Sequence, residues 1–160
     1  MRHIITAIVE NKSGVLAHIA GLFSGRGYNI DSLAVGETEK PNLSRMTIVT
    51  RGDDAIIDQI RKQLEKVIDI VKVQDITHED HVERDLLLVK VNAPPGKRGE
   101  IIEVVDIFRG KIVDVGAQEM VVEIAGTEDK VEAMIDLLRP YGIKELVRSG
   151  SIALPRGKKK

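Results

Sequence analysis

Apolar residues recur along this chain with two periods, and their order predicts alternating strands and helices. From His3 to Val9 apolar side chains fall on both faces of an extended segment, which is typical of a strand that is covered on both sides and central in its sheet. Between Val15 and Phe23 the period changes to that of a helix with one apolar face. This helix is predicted to end near residues 25–27, where two glycines can adopt C-cap conformations.

The rest of the first half continues in the same way. The segments 28–38 and 43–51 predict an antiparallel hairpin. Asp53 and Asp54 are expected to cap a second helix, and residues 68–76 predict a fourth strand. The order is strand, helix, strand, strand, helix, strand, which is the split βαβ arrangement.

The second half predicts the same order of elements again. Gly110 is expected to end its first helix, and Thr127 to cap its second. The predicted strands of this half are residues 86–91, 111–115, 117–124 and 143–147. The fold class is therefore α+β, with two tandem ferredoxin-like βαββαβ domains.

The predicted domains are residues 1–77 and 85–160. The segment 78–84 between them is polar and has no hydrophobic period, so we interpret it as a linker. It contains histidines and carboxylates of metal-binding type. Adjacent residues in a flexible segment rarely form a closed metal site when no other groups hold them in place by hydrogen bonds. The lysines at 158–160 predict a frayed, solvated basic tail.

The junction between the first strand and the first helix, residues 10–16, is the candidate site. Ser13 is expected to be the N-cap, and Gly14 in the first turn would leave backbone N–H groups open to an anion. Asn11 adds an amide that both donates and accepts hydrogen bonds. The residues alone fit two interpretations, a helix-capping turn or a lip that binds a small ligand with a carboxylate.

Composition excludes several classes of protein. With 42% apolar and 31% charged residues and a net charge of -1, a soluble globular protein is expected, and no charge imbalance points to nucleic acid. There are no cysteines, which excludes disulfides and thiolate metal sites. No apolar run approaches the ~20 residues that cross a bilayer, and the first residues contain no signal core. We therefore expect a cytoplasmic protein without membrane contact.

Little in the sequence indicates catalysis. The four histidines are scattered, and no nucleophile, phosphate-binding or dinucleotide-binding motif occurs. RNA binding by a split βαβ domain needs exposed aromatic side chains on its strands, yet only 2% of residues are aromatic. Small-molecule sensing and protein–protein contact remain.

Five segments carry a resemblance to a known family. Residues 11–16, 21–33 and 43–48 in the first half, and 82–91 and 107–115 in the second, closely resemble the regulatory (small) subunit of acetolactate synthase, also called acetohydroxyacid synthase. The first half looks like an ACT domain. The Arg-Gly-Tyr-Asn-Ile sequence within 21–33 is specific to this family, and the resemblance covers nearly the whole chain.

The resemblance implies a regulatory role without an active site in this chain. Members of this family bind a catalytic large subunit that carries thiamine diphosphate, a divalent metal and FAD. They stimulate it and confer feedback inhibition by a branched-chain amino acid, usually valine. The effector lies between the ACT domains of a homodimer. The matching positions here are Asn11, Gly14, Val15 and Leu16 on the helix-start side, and Asn29 and Ile30 on the strand from the other subunit.

Two alternatives to a regulatory subunit are left open by the residues. One is a free-standing ACT-type amino-acid sensor that acts on an unrelated partner. The other is an enzyme of unknown type. Among valine, isoleucine and leucine the sequence does not choose.

Overall fold

The chain folds into two compact units in a computed structural model that describes residues 1–159. The first unit contains Met1–Val82 together with the residues from Ser151 onwards, and the second contains Glu83–Gly150. The first of the two sheets has four strands and the second has five, and each has two helices packed on one face. The predicted pair of ferredoxin-like βαββαβ folds is confirmed.

Four helices and nine strands form the two units within the described residues. The helices are α1 (Val15–Gly25), α2 (Asp54–Glu65), α3 (Arg98–Ile107) and α4 (Glu128–Leu138). The strands of the first half are β1 (Arg2–Glu10), β2 (Ile30–Glu37), β3 (Leu43–Arg51) and β4 (Ile70–Asp75). Those that follow are β5 (His81–Asn92), β6 (Lys111–Val115), β7 (Glu119–Gly126), β8 (Ile143–Arg148) and β9 (Ile152–Pro155). Short 3-10 helices span Pro95–Lys97 and Arg139–Tyr141.

The first sheet has the strand order β2-β3-β1-β4, so β1 is central as its pattern predicts. Ile5, Ala7 and Val9 point into the core beneath α1 and α2. Ile4 points to the opposite face, where it is buried in a small cluster that includes Ala153. Both faces of β1 therefore bury apolar side chains.

The second sheet repeats this topology with the order β6-β7-β5-β8. Leu87, Val89 and Val91 alternate along β5 and are fully buried beneath α3 and α4. Thr127 is the N-cap of α4, because its hydroxyl accepts a hydrogen bond from the backbone of Lys130 at 3.4 Å. In the first unit Asp53 caps α2 in the same way.

Helix α3 ends at Ile107, three residues before Gly110, and the glycine at position 110 has a steric reason. A Cβ atom at this position would lie 2.8 Å from the carbonyl oxygen of Glu123, which is closer than such atoms approach. The preceding residue, Arg109, has a φ of 57°, the left-handed conformation that often ends a helix. Arg109 therefore takes the left-handed position expected of a glycine, while Gly110 allows close packing of the chain against β7.

Two segments differ from the prediction. Strand β5 begins at His81, so only the first part of the predicted linker 78–84 lies outside regular structure. Strand β9 was not expected, because four residues are too few to reveal a period. It groups with the first unit rather than the second, and the backbone N–H of Ser151 donates to the Ser32 hydroxyl at 2.9 Å. Of the basic tail, Lys158 and Lys159 are exposed, and Lys160 lies outside the described residues.

Candidate functional site

Gly14 occupies the N-cap position of α1, where Ser13 was expected. Gly14 has a φ of 87°, a conformation that favours glycine, and no side chain caps the helix. The first helical hydrogen bond joins the His18 N–H to the Gly14 carbonyl at 3.0 Å. The N–H groups of residues 15–17 therefore have no acceptor within the helix. They form a group of donors at its positive end, where Leu16 and Ala17 are exposed and Val15 is buried.

The nearest lysine is engaged elsewhere. Lys12 Nζ lies 2.6 Å from Glu10 and 3.8 Å from Asp69. The hydrogen bond between Lys12 and Glu10 lowers the pKa of Glu10 and raises the pKa of Lys12. Any attraction of an anion to the helix start consequently comes from the backbone of α1.

Asn11 connects this loop to the end of β2. Its backbone N–H donates to the Asn42 carbonyl at 2.9 Å, and its side-chain Nδ2 donates to Oε1 of Glu37 at 2.8 Å. Glu37 is the last residue of β2, which is an edge strand. Sequence reasoning did not single out Glu37, because its place near Asn11 depends on the pairing of β3 with both β1 and β2.

Val15 and Leu16 contribute differently to the loop. The Val15 side chain is buried in the first core, so only its backbone N–H can face a ligand. The Leu16 side chain is 46% exposed. It supplies apolar surface beside the free N–H groups.

Asn29 and Ile30 lie at the other end of β2. The Asn29 carbonyl accepts a hydrogen bond from the Thr50 hydroxyl at 2.8 Å, and Ile30 packs against the first core. Ile30 pairs with Thr50, whereas Glu37 pairs with Ser44. At ~3.4 Å per residue, Ile30 and Glu37 are about 24 Å apart along the strand. Within one chain these two groups of predicted site residues are therefore not brought together.

A buried histidine and a carboxylate form a polar pair elsewhere in the first unit. His3 is buried, and its Nδ1 lies 3.2 Å from Asp75 Oδ2. Burial raises the pKa of Asp75, but hydrogen bonds from Thr77 and His3 outweigh it and hold that pKa below its usual value. Among residues 1–159 no group of three or more histidine or carboxylate side chains could hold a metal ion. None of the helices described is both long and apolar enough to cross a membrane.

Comparisons with known proteins identify both halves. Residues 5–72 match the family described as AHAS small subunit-like ACT domain, and residues 84–157 match the family described as small subunit of acetolactate synthase. The chain is 58% identical to the probable acetolactate synthase small subunit of Archaeoglobus fulgidus over the full length of both. It is 51% identical to the acetolactate synthase small subunit of Aquifex aeolicus, covering 97% of this chain and 81% of that one.

A solved structure agrees with this assignment. The crystal structure of the acetolactate synthase small subunit from Thermotoga maritima superposes with a TM-score of 0.91 at 42% identity, covering 99% of each chain. Both families together span most of the sequence, and the fold agrees over its whole length. The chain belongs to the family of acetolactate synthase small subunits.

Proposed function

We propose that this chain is the non-catalytic regulatory subunit of an acetolactate synthase in cytoplasmic branched-chain amino acid biosynthesis. It stimulates the catalytic large subunit and confers feedback inhibition by valine or a related amino acid. Thiamine diphosphate, a divalent metal and FAD belong to that large subunit. The observation that carries the proposal is the uncapped start of α1, held by Asn11 against the edge strand of an ACT domain.

The start of α1 fits the carboxylate of an amino acid. The N–H groups of residues 15–17 point out of the helix at its positive end, where an anion is stabilised. Gly14 has no atoms within 4 Å of where a Cβ would lie, so space for a small ligand is open. Exposed Leu16 supplies apolar surface for a branched side chain.

A second copy of the chain would complete this site. Strand β2 is an edge, and Val35 on it is 47% exposed, so its unpaired backbone groups can pair with another strand. Antiparallel pairing about a two-fold axis between Leu33 and Ala34 sets Ile30 of one copy opposite Glu37 of the other. Asn29 and Ile30 would then meet the Asn11 loop. The unpaired edge of β2 is the observation that supports the homodimer implied by the family resemblance.

The functional test is reconstitution with the catalytic subunit. The purified chain alone should form no acetolactate from pyruvate, because the proposal assigns catalysis to the large subunit. Mixed with its catalytic partner it should raise turnover, and added valine should lower that turnover again. Synthesis by the isolated chain, or capture from native extract of a partner that is not thiamine-dependent, would contradict the proposal; the latter would favour a free-standing sensor.

Sedimentation tests the dimer. At micromolar concentration the chain should sediment as a dimer, and Val35→Lys should weaken the dimer because a charged edge resists strand pairing. Val71→Lys is the matched control, since Val71 is 60% exposed on β4, the opposite edge of the same sheet. A monomeric wild-type chain that still binds valine would exclude the shared site.

A further inference from the structure

Glu37 has the position and the charge to recognise the second ionic group of the effector. Its Oε1 atom accepts a hydrogen bond from Asn11 Nδ2 at 2.8 Å. The carboxylate therefore lies beside the loop that leads into the start of α1. Glu37 is exposed and forms no ion pair with the described lysines and arginines. Two acids near the same loop differ from it in this respect, because Glu10 and Asp69 lie beside Lys12.

An unpaired carboxylate at this place matters because an amino acid carries a negative carboxylate and a positive ammonium group on the same Cα atom. The helix start attracts the carboxylate, and the ammonium group must then find acceptors within a few ångströms. Asn11 offers only a neutral carbonyl oxygen. A carboxylate adds the attraction of opposite charges to such a hydrogen bond, which a neutral carbonyl oxygen does not.

We propose that Glu37 accepts the ammonium group of the effector and makes the site select amino acids over α-keto acids with the same side chain. This inference rests on the proposed effector site at the start of α1. On binding, the ammonium group shares the Glu37 carboxylate with the Asn11 amide. An α-keto acid carries the carboxylate without the ammonium, so Glu37 repels it.

Calorimetric titration with L-valine and with the α-keto acid of the same side chain tests this selectivity. The wild-type chain should bind L-valine at least tenfold more tightly. Glu37→Gln keeps an oxygen that can accept from Asn11 but removes the charge. It should lose roughly tenfold in affinity for L-valine and gain affinity for the α-keto acid, because the repulsion by Glu37 is removed. Glu39→Gln, an equally exposed charge change beyond the end of β2, should bind both ligands as the wild type does.

The possible outcomes distinguish a failure of this inference from a failure of the proposed effector site on which it rests. If the wild type binds L-valine and Glu37→Gln binds it equally well, the role of Glu37 is wrong and the effector site stands. If Glu37→Gln loses the same affinity for both ligands, Glu37 has only a structural role and the inference is wrong. If Glu39→Gln loses as much affinity for L-valine as Glu37→Gln does, the effect comes from general surface charge and the inference is wrong as well. If the wild type binds neither ligand nor any branched-chain amino acid, the proposed effector site itself is wrong.

Discussion

Gly14→Asp is expected to weaken valine binding by about five- to a hundredfold beyond the loss caused by Gly14→Asn. An aspartate carboxylate at this position would lie ~4 Å from the bound carboxylate. At an effective dielectric of ~20 the two charges repel by up to ~4 kcal/mol, of which partial exposure leaves ~1–3 kcal/mol. Isothermal titration of both variants with valine measures the difference.

Asparagine is the matched control because it shares the size of aspartate and its tolerance of the left-handed conformation. The φ of 87° makes any side chain at residue 14 cost about 1–2 kcal/mol, and both variants bear this cost equally. No neighbouring atom obstructs the new Cβ, so both should fold. Melting curves check this, and equal valine affinities in two folded variants would make the loop a simple helix cap.

Arg148→Met is expected to lower the free energy of unfolding of the second unit by about 2–4 kcal/mol. Arg148 Nε and Nη2 lie 2.9 and 2.8 Å from Asp85 Oδ2, and its Nη1 donates to Glu132. Burial alone would lower the pKa of Arg148, but the hydrogen bonds with Glu132 and Asp85 outweigh it and raise that pKa. Asp85 is 2% exposed, so removing the guanidinium leaves a buried carboxylate without a cation.

Urea denaturation followed by circular dichroism measures this loss. The double variant Asp85→Asn with Arg148→Met should recover much of it, because it no longer buries an unpaired charge. Arg139→Met is the control: Arg139 lies 3.3 Å from Asp136 with both side chains more than 60% exposed, and its loss should cost less than 1 kcal/mol. Equal effects at Arg139 and Arg148 would show that burial of Asp85 adds nothing.

The fold could be predicted because its signals are local. Helix periods and the Asp53 and Thr127 caps each depend on residues close in sequence, and all are present. The cap of α1 was predicted wrongly because a serine before a glycine is the commoner signal. Only the backbone conformation of Gly14 reveals that the glycine itself takes the cap position.

The candidate site was less accessible from the sequence because it depends on pairing distant segments. The link between Asn11 and Glu37 depends on the register of a sheet and leaves no local pattern. Strand β9 has the same difficulty, since its place is decided by Ala153 meeting Ile4 and Val49 far earlier in the chain. Family resemblance supplied residues 29 and 30, which no period could have selected.

The discontinuity of the first unit has a consequence for synthesis on the ribosome. Residues 83–150, the whole second unit, are translated between the two parts of the first. Until Ala153 emerges, Ile4, Val49 and Ile76 lack the strand residue that completes their cluster. The nascent ACT domain therefore leaves an apolar surface uncovered while the second unit is being made, and its maturation is delayed until translation has passed both domains.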